Sequence, residues 1–394
     1  MKINYILALF LIALTSSVAR AQYFPLSETA EVSILTMGPG AQLYDKFGHS
    51  AFRVHDESQG IDLVYNYGVY DFNTPNFYLK FAQGKLLYKL AVSPYTPFIE
   101  SYIAQNRWVK EQILDFSYTE KQNVFNYLEN NAKPENKYYQ YDFFFDNCAT
   151  KIRDVLVSVL GEKLMYDSNY TEEAYTFREL IQKNVHWNSW GSLGMDVAIG
   201  AVVDKKASLW DYQFLPDYVF EGAANASLKR SSENKPLIKE TKTIFTNAPS
   251  KETNFFFYSP LFVFGLLGFV ILIITYNDLK KNKRNRFLDA SIFFITGIIG
   301  ILLLLLWVAT DHSTTVMNYN LLWAFPVSIF FTKAIISKTP KNWIKRYVFF
   351  IILLLCLVGI HWISGVQVFS YGFIPLFIAL LVRYLYLFRF LKNN

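Results

Sequence analysis

The chain has 394 residues, 52% of them hydrophobic and 18% aromatic, with two cysteines and a formal net charge of +6. Two cysteines exclude a disulfide framework. The positive balance does not point to nucleic acid, because it belongs to one half of the chain. From Phe255 onward thirteen Lys and Arg face three Asp and Glu, whereas residues 1–254 carry twenty-five against twenty-nine.

The chain opens MKINYILALFLIALTSSVARAQ. A basic start, a short apolar run and an Ala-Arg-Ala ending describe a secretory signal peptide, residues 1–21, so the segment after it is expected to be exported. "EVSILTMG", "SAFRVHD" and "IDLVYNYGVYDF" are rich in β-branched and aromatic residues and read as strands, and the turn signal "HDESQG" makes the last two a hairpin. "TEKQNVFNYLENNA" reads as a helix capped by Thr119, with Val124, Phe125 and Leu128 on one face. "CATKIRDVLVSVLG" is a second, amphipathic helix with a stripe of Ile152, Val155, Leu156 and Val159, closed by Gly161. Residues 195–228 predict further helices with a proline break. One exported domain is expected over 22–228, and the Ser-, Asn-, Lys- and Thr-rich stretch 229–254 reads as a linker to the membrane.

The remainder holds five apolar segments, at about 255–276, 287–308, 321–336, 347–364 and 368–388. The third is short and contains Pro326. "NDLKKNKRNR" and "KAIISKTPKNWIKR" each carry five basic residues, while the alternate connections "ATDHSTTVMNYN" and "SGVQVF" carry none. The positive-inside rule then puts the basic loops and the C-terminus in the cytoplasm and the N-terminal domain outside. A five-helix transmembrane domain is expected over 255–394.

Cys148 is the one cysteine of the exported segment. Cys356, in the middle of an apolar span, cannot reach it, so Cys148 is a free thiol in an oxidising compartment. Asp146 or Asn147 is the expected N-cap, which sets the sulfur in the first helical turn. Unpaired N–H groups and the positive dipole end there favour thiolate and are candidates for holding an oxyanion. A nucleophilic thiol also needs a base. Three histidines are available. His49 follows a glycine at the head of a strand, His55 sits at a polar turn, and His186 in "NVHWNSW" is undecided. Packing is the commoner role of a lone cysteine or histidine; the Gly-His strand start paired with an Asn-Cys helix start favours His49 as the partner.

His before Cys, with "NC" opening a helix, resembles the circularly permuted NlpC/P60-like thiol enzymes of the papain-like group. More specifically, "GHSAFRV", "YNYGVYDFNTPNF", "FFFDNCATKIRD", "FLPDY" and "TDHSTTVMNYNLLW" in this order are similar to the Lnb-type lipoprotein N-acyltransferases of the Bacteroidota. The resemblance implies an α+β, permuted papain-like periplasmic domain followed by an α-helical membrane domain, in the bacterial inner membrane. It implies Cys148 and His49 as the catalytic pair and acyl transfer from a phospholipid to the amine of a diacylglyceryl-cysteine lipoprotein.

Permuted relatives take a third, orienting group from the neighbouring strand, which makes Asn66 the candidate; Tyr65, Tyr67 and Asp71 remain alternatives. Asn147, Asp311 and His312 are the candidate substrate or oxyanion residues. The last two sit in a loop expected on the side of Cys148, where binding a lipid headgroup competes with simple hydration of the turn. His361 is expected to pack. No spacing suggests a metal, no glycine-rich phosphate loop is present, and no cofactor is called for. Phospholipid, lipoprotein and membrane are the expected partners, and the sequence does not fix an oligomeric state. The alternatives are a cysteine peptidase or amidase acting on cell-wall peptide, and a non-enzymatic exported module with Cys148 buried.

Overall fold

The computed structural model describes residues 25–167, 171, 173–231, 233–249 and 256–393. The expected signal peptide, 1–21, lies outside them. Among the described residues the N-terminal half holds ten strands: β1 (Glu31–Met37), β2 (His49–Asp56), β3 (Ile61–Val69), β4 (Leu87–Pro94), β5 (Val109–Leu114), β6 (Tyr138–Gln140), β7 (Leu164–Met165), β8 (Ser227–Lys229), β9 (Asn234–Pro236) and β10 (Ile238–Phe245). Seven of them form an antiparallel sheet in the order β10-β5-β1-β2-β3-β4-β6, and β7-β8-β9 form a small second sheet.

The helices of this half are α1 (Phe77–Ala82), α2 (Tyr95–Ala104), α3 (Tyr118–Ala132), α4 (Cys148–Leu160), α5 (Phe177–Asn184), α6 (Trp190–Ala198), α7 (Leu209–Tyr212) and α8 (Pro216–Ala224). One core joins the apolar stripe of α4, Ile152, Val155 and Leu156, to Phe52 and Val54 of β2 and to Val124 and Leu128 of α3. The alternate residues of the same strands, Ala51 and Val64, pack instead with Phe98 and Ile99 of α2. Both faces of the central strands are therefore covered, which is why β1 is buried along almost its whole length, Ser33 and Thr36 included. The cap of α3 is Ser117 rather than Thr119, in a reciprocal capping box with Glu120.

The expected linker is corrected over most of its described length. Residues 238–245 form β10, paired along β5. Its outward side chains are Lys, Glu and Thr because it is the solvated edge of the sheet, and edge strands carry charge that discourages further pairing. That composition imitates a tether.

Among the described residues of the C-terminal half there are five α-helices: α9 (Pro260–Lys280), α10 (Arg286–Val308), the short α11 (Thr332–Ile335), α12 (Asn342–Ile363) and α13 (Ile374–Asn393). Four of these, all but α11, are long and apolar enough to cross a membrane. The expectation of a third full helix at 321–336 is corrected: that stretch is 3-10 turns at Tyr319–Leu322 and Pro326–Phe331 leading into α11. Pro326 removes an amide and Gly297 and Gly300 of α10 admit the irregular backbone, since a side-chain carbon on either would collide with Ile329 or Ala324. Non-helical backbone is tolerated at this depth because it is buried in protein. The stretch still traverses the bundle. Asn320 Nδ2 donates to the Asp196 carbonyl at one end, and at the other the Ile335 carbonyl accepts from Arg284. Arg383 clamps that far end, bound to Asp289 at 2.8 Å and Asp278 at 2.7 Å.

The two halves join through backbone. Gly200 N donates to the Thr314 carbonyl at 2.8 Å, Ala201 N to that of Met317 at 3.0 Å, and Asn318 Nδ2 to that of Val197 at 2.8 Å. Arg178, fully buried, holds the joining loop by ion pairs to Asp196 and Asp204, and Asp204 in turn accepts from Val368 N. A side-chain carbon at position 200 would overlap the Val316 carbonyl. Gly200→Ala is therefore expected to cost about 1–3 kcal/mol, the usual range for overpacking. Thermal unfolding of the whole protein in detergent, with limited proteolysis of the joint, measures it; an unchanged profile would contradict the predicted overlap.

Candidate active site

Cys148 is the first residue of α4. Asn147 is its N-cap, with Oδ1 accepting from the amides of Ala149 and Thr150 and the Thr150 hydroxyl accepting from Asn147 N. Both Asn147 Nδ2 hydrogens are used as well, donated to the carbonyls of Phe143 at 2.6 Å and Phe214 at 2.8 Å. The side chain expected to serve substrate or oxyanion is thus a fully engaged, buried cap. It fixes where the sulfur sits and has no donor left over.

His49 heads β2, opposite Met37 of β1. The antiparallel pairing of β2 with β3, with Phe52 opposite Tyr65, runs on toward Gly68 beside His49. Gly68 has φ +90°, and the β3–β4 register slips between Asn66 and Val69. A side-chain carbon on Gly68 would lie 3.5 Å from Cys148 Cβ and 3.9 Å from His49 Cε1. The bare glycine at this irregularity leaves the space in which thiol and imidazole approach each other, close enough for each to shift the other's ionisation.

His49 Nε2 lies 2.6 Å from Asn66 Oδ1. An amide oxygen only accepts, so Nε2 carries the proton and Nδ1 is left for the sulfur. Tyr65 is used elsewhere, donating to Glu129, and Asp71 holds a turn by accepting from Asn73 N. The ring of His49 is stacked on Tyr102, centroids 6.1 Å apart.

Burial works against charge on both partners. On Cys148 it is outweighed by the imidazolium, by the hydrogen bond from His49 and by the amides of Ser50 and Ala149, so the thiol lies below its ordinary value. On His49 burial is outweighed by the Cys148 charge and by the hydrogen bonds to Cys148 and Asn66, so the imidazole lies above its own. Both directions favour the thiolate–imidazolium form of the pair over the neutral one. Tyr88, pushed up to about 12 by burial and the nearby Tyr70, stays a protonated donor beside it.

The pair opens into a cleft of about 620 Å³. One wall is Leu43, Phe47 and Tyr70, another is Tyr141, Asp142 and Phe143, and the far rim is residues 311–314, from the half that carries the apolar helices. Ser313 Oγ donates to Asp142 at 2.6 Å and Asp311 N to the Gln83 carbonyl at 2.8 Å, tying that rim to the chain just before Cys148 and to the end of α1. Asp311 and His312 therefore share one cleft with Cys148, His49 and Asn66. His55 lies near the far end of β2, and His186 is exposed in a turn where Nδ1 accepts from Asn188 N; neither lines it. His361 packs on Tyr319, centroids 4.6 Å apart. Among the described residues no three His, Cys, Asp or Glu side chains are grouped to hold a metal. Sequence reasoning missed Gly68 and the stacked Tyr102; the glycine inside a strand pattern was the available signal.

Iodoacetamide alkylation of Cys148 should keep its rate at pH values where a free cysteine has already protonated, and fall only as pH drops through the lowered thiol value. In His49→Ala, where burial acts unopposed by the imidazolium, the midpoint should move up past that of a free cysteine. A native midpoint at or above the free-thiol value would contradict the ion pair.

No curated protein matches the chain, and no solved structure does. Two family models match it in succession, the Lnb N-terminal periplasmic domain over residues 21–183 and the Lnb transmembrane domain over residues 250–394. With both domains present in that order, the chain belongs to the Lnb family.

Proposed function

We propose that this protein is an acyltransferase moving an acyl chain from a phospholipid, through a thioester on Cys148, to the N-terminal amine of a diacylglyceryl-cysteine lipoprotein. The observation that carries the reading is the shared cleft: a thiolate–imidazolium pair whose far rim belongs to the membrane half. Both substrates are lipids, and a pocket closed by residues 311–314 receives them where they reside. The basic loops lie at the end of the bundle away from the sheet domain, which under the positive-inside rule supports a periplasmic sheet domain and a cytoplasmic C-terminus.

In the first step the Cys148 thiolate attacks the ester carbonyl carbon. The C–S bond forms, the C–O bond breaks, and His49 gives its proton to the departing lysophospholipid alkoxide. The Cys148 amide, at the first helical position and so without a partner inside the helix, is the candidate oxyanion donor. In the second step the lipoprotein amine attacks the thioester, its proton passes to His49, and the thiolate leaves. Asn66 holds the ring in the tautomer both steps need. Asp311 and His312 are placed to meet a headgroup at the rim.

Cys148→Ala should abolish a hydroxylamine-labile acyl adduct and leave lipoprotein N-termini without their amide-linked chain, read by mass spectrometry of N-terminal peptides. Asn66→Ala should lower kcat by about 10- to 100-fold, part of the roughly 10²–10⁴ that positioned acid–base catalysis contributes. Normal N-acylation in Cys148→Ala cells would reject the proposal. Cleavage of cell-wall peptide by the native protein, with N-acylation intact in its absence, would favour the cysteine amidase instead.

A further inference from the structure

The link between β3 and β4, residues 70–86, holds the most exposed apolar surface on the sheet domain beside the cleft. Tyr78 is 80% exposed, Phe72 66%, Leu79 57% and Phe81 54%. They are not scattered. Tyr70, Phe72, Phe77 and Phe81 touch in series, with centroids 4.8 to 6.4 Å apart, so the patch is one aromatic knob built around α1. A contiguous exposed patch of this kind marks a surface that water does not normally cover.

Its surroundings say what covers it. The amide of Asp311 donates to the Gln83 carbonyl at 2.8 Å, and His312 Nε2 donates to that of Phe81 at 3.2 Å. Three residues before Asp311 stands Val308, the last residue of α10 and 67% exposed. The knob is therefore hydrogen bonded to the point where an apolar helix leaves the hydrocarbon, the level at which aromatic side chains gather in membrane proteins. Lys80 and Lys85 lie in the same link against the single acid Asp71, a balance that suits anionic headgroups. On its inner side the link supplies Tyr70, Phe81 and Leu86 to the cleft wall.

We infer that residues 70–86 insert into the lipid leaflet facing the sheet domain and form the lip over which an acyl chain passes sideways from the bilayer to Cys148. The occupant is lipid, not a protein partner. The inference rests on the proposed reaction for what passes over the lip, and not for the insertion itself. A chain passing between Phe81 and Leu86 meets apolar side chains where it enters the cleft, which spares those methylenes a transfer to water costing about 0.8 kcal/mol each.

Two measurements on the full chain in phospholipid nanodiscs test it. A Tyr78→Cys variant in a Cys148→Ala, Cys356→Ala background, labelled with a fluorophore, should be quenched by lipids carrying a nitroxide near the headgroup and protected from aqueous iodide. Quenching by iodide without quenching by the labelled lipid overturns the insertion. With Cys148 present, Leu79→Asp should slow acyl-adduct formation from bilayer phospholipid at least tenfold, leave the iodoacetamide rate at Cys148 unchanged, and recover in Leu79→Phe. Native-rate acylation by Leu79→Asp, or equal loss of alkylation, overturns the lip. If the native protein forms no adduct from any phospholipid, the reaction fails while the quenching experiment still decides the insertion.

Discussion

A buried thiol and a buried imidazole each resist ionising, and each supplies what the other lacks. The charge pair between Cys148 and His49 is the interaction on which the candidate site depends, and much of the surrounding structure serves to hold it. Asn147 spends all its hydrogen-bonding capacity on fixing the start of α4. Asn66 fixes the ring of His49, and Tyr102 backs it. Gly68 leaves the volume in which the two meet. None of these four neighbours needs to touch a substrate for its loss to be felt.

That division explains what was legible in the sequence. Cys148 stood out because a free thiol in an exported domain is unusual, and His49 because it followed a glycine at a strand start. Asn66 could be approached through the hairpin, since the turn at 57–60 fixes which residues of β3 run past His49. Register is a local property there, and local properties can be read. Asn147 showed the opposite limit. Its type and position announced a cap, but only three-dimensional contacts with Phe143 and Phe214 reveal that no donor is left for chemistry.

The two errors in architecture have a common cause: composition reports solvent, not topology. The edge strand β10 looks like a tether because one of its faces is wet and charged. The 319–336 stretch looks like a span because its surroundings are apolar, yet its neighbours include the glycines of α10, which accept backbone where a helix would present side chains. Pattern alone located the apolar segments and not their conformation. Much of the interface between the halves was not visible, because part of it is made by main-chain groups of Gly200, Ala201 and Thr314 that any sequence possesses.

Residues 311–314 are at once the continuation of α10 and one rim of the cleft. A helix in a bilayer tilts to match its hydrophobic length to the local thickness. A change in the tilt of α10 would load the hydrogen bonds that tie this rim to Phe81, Gln83 and Asp142. Under the proposed reaction, the thickness of the surrounding bilayer would then act on the cleft mechanically, without any ligand binding.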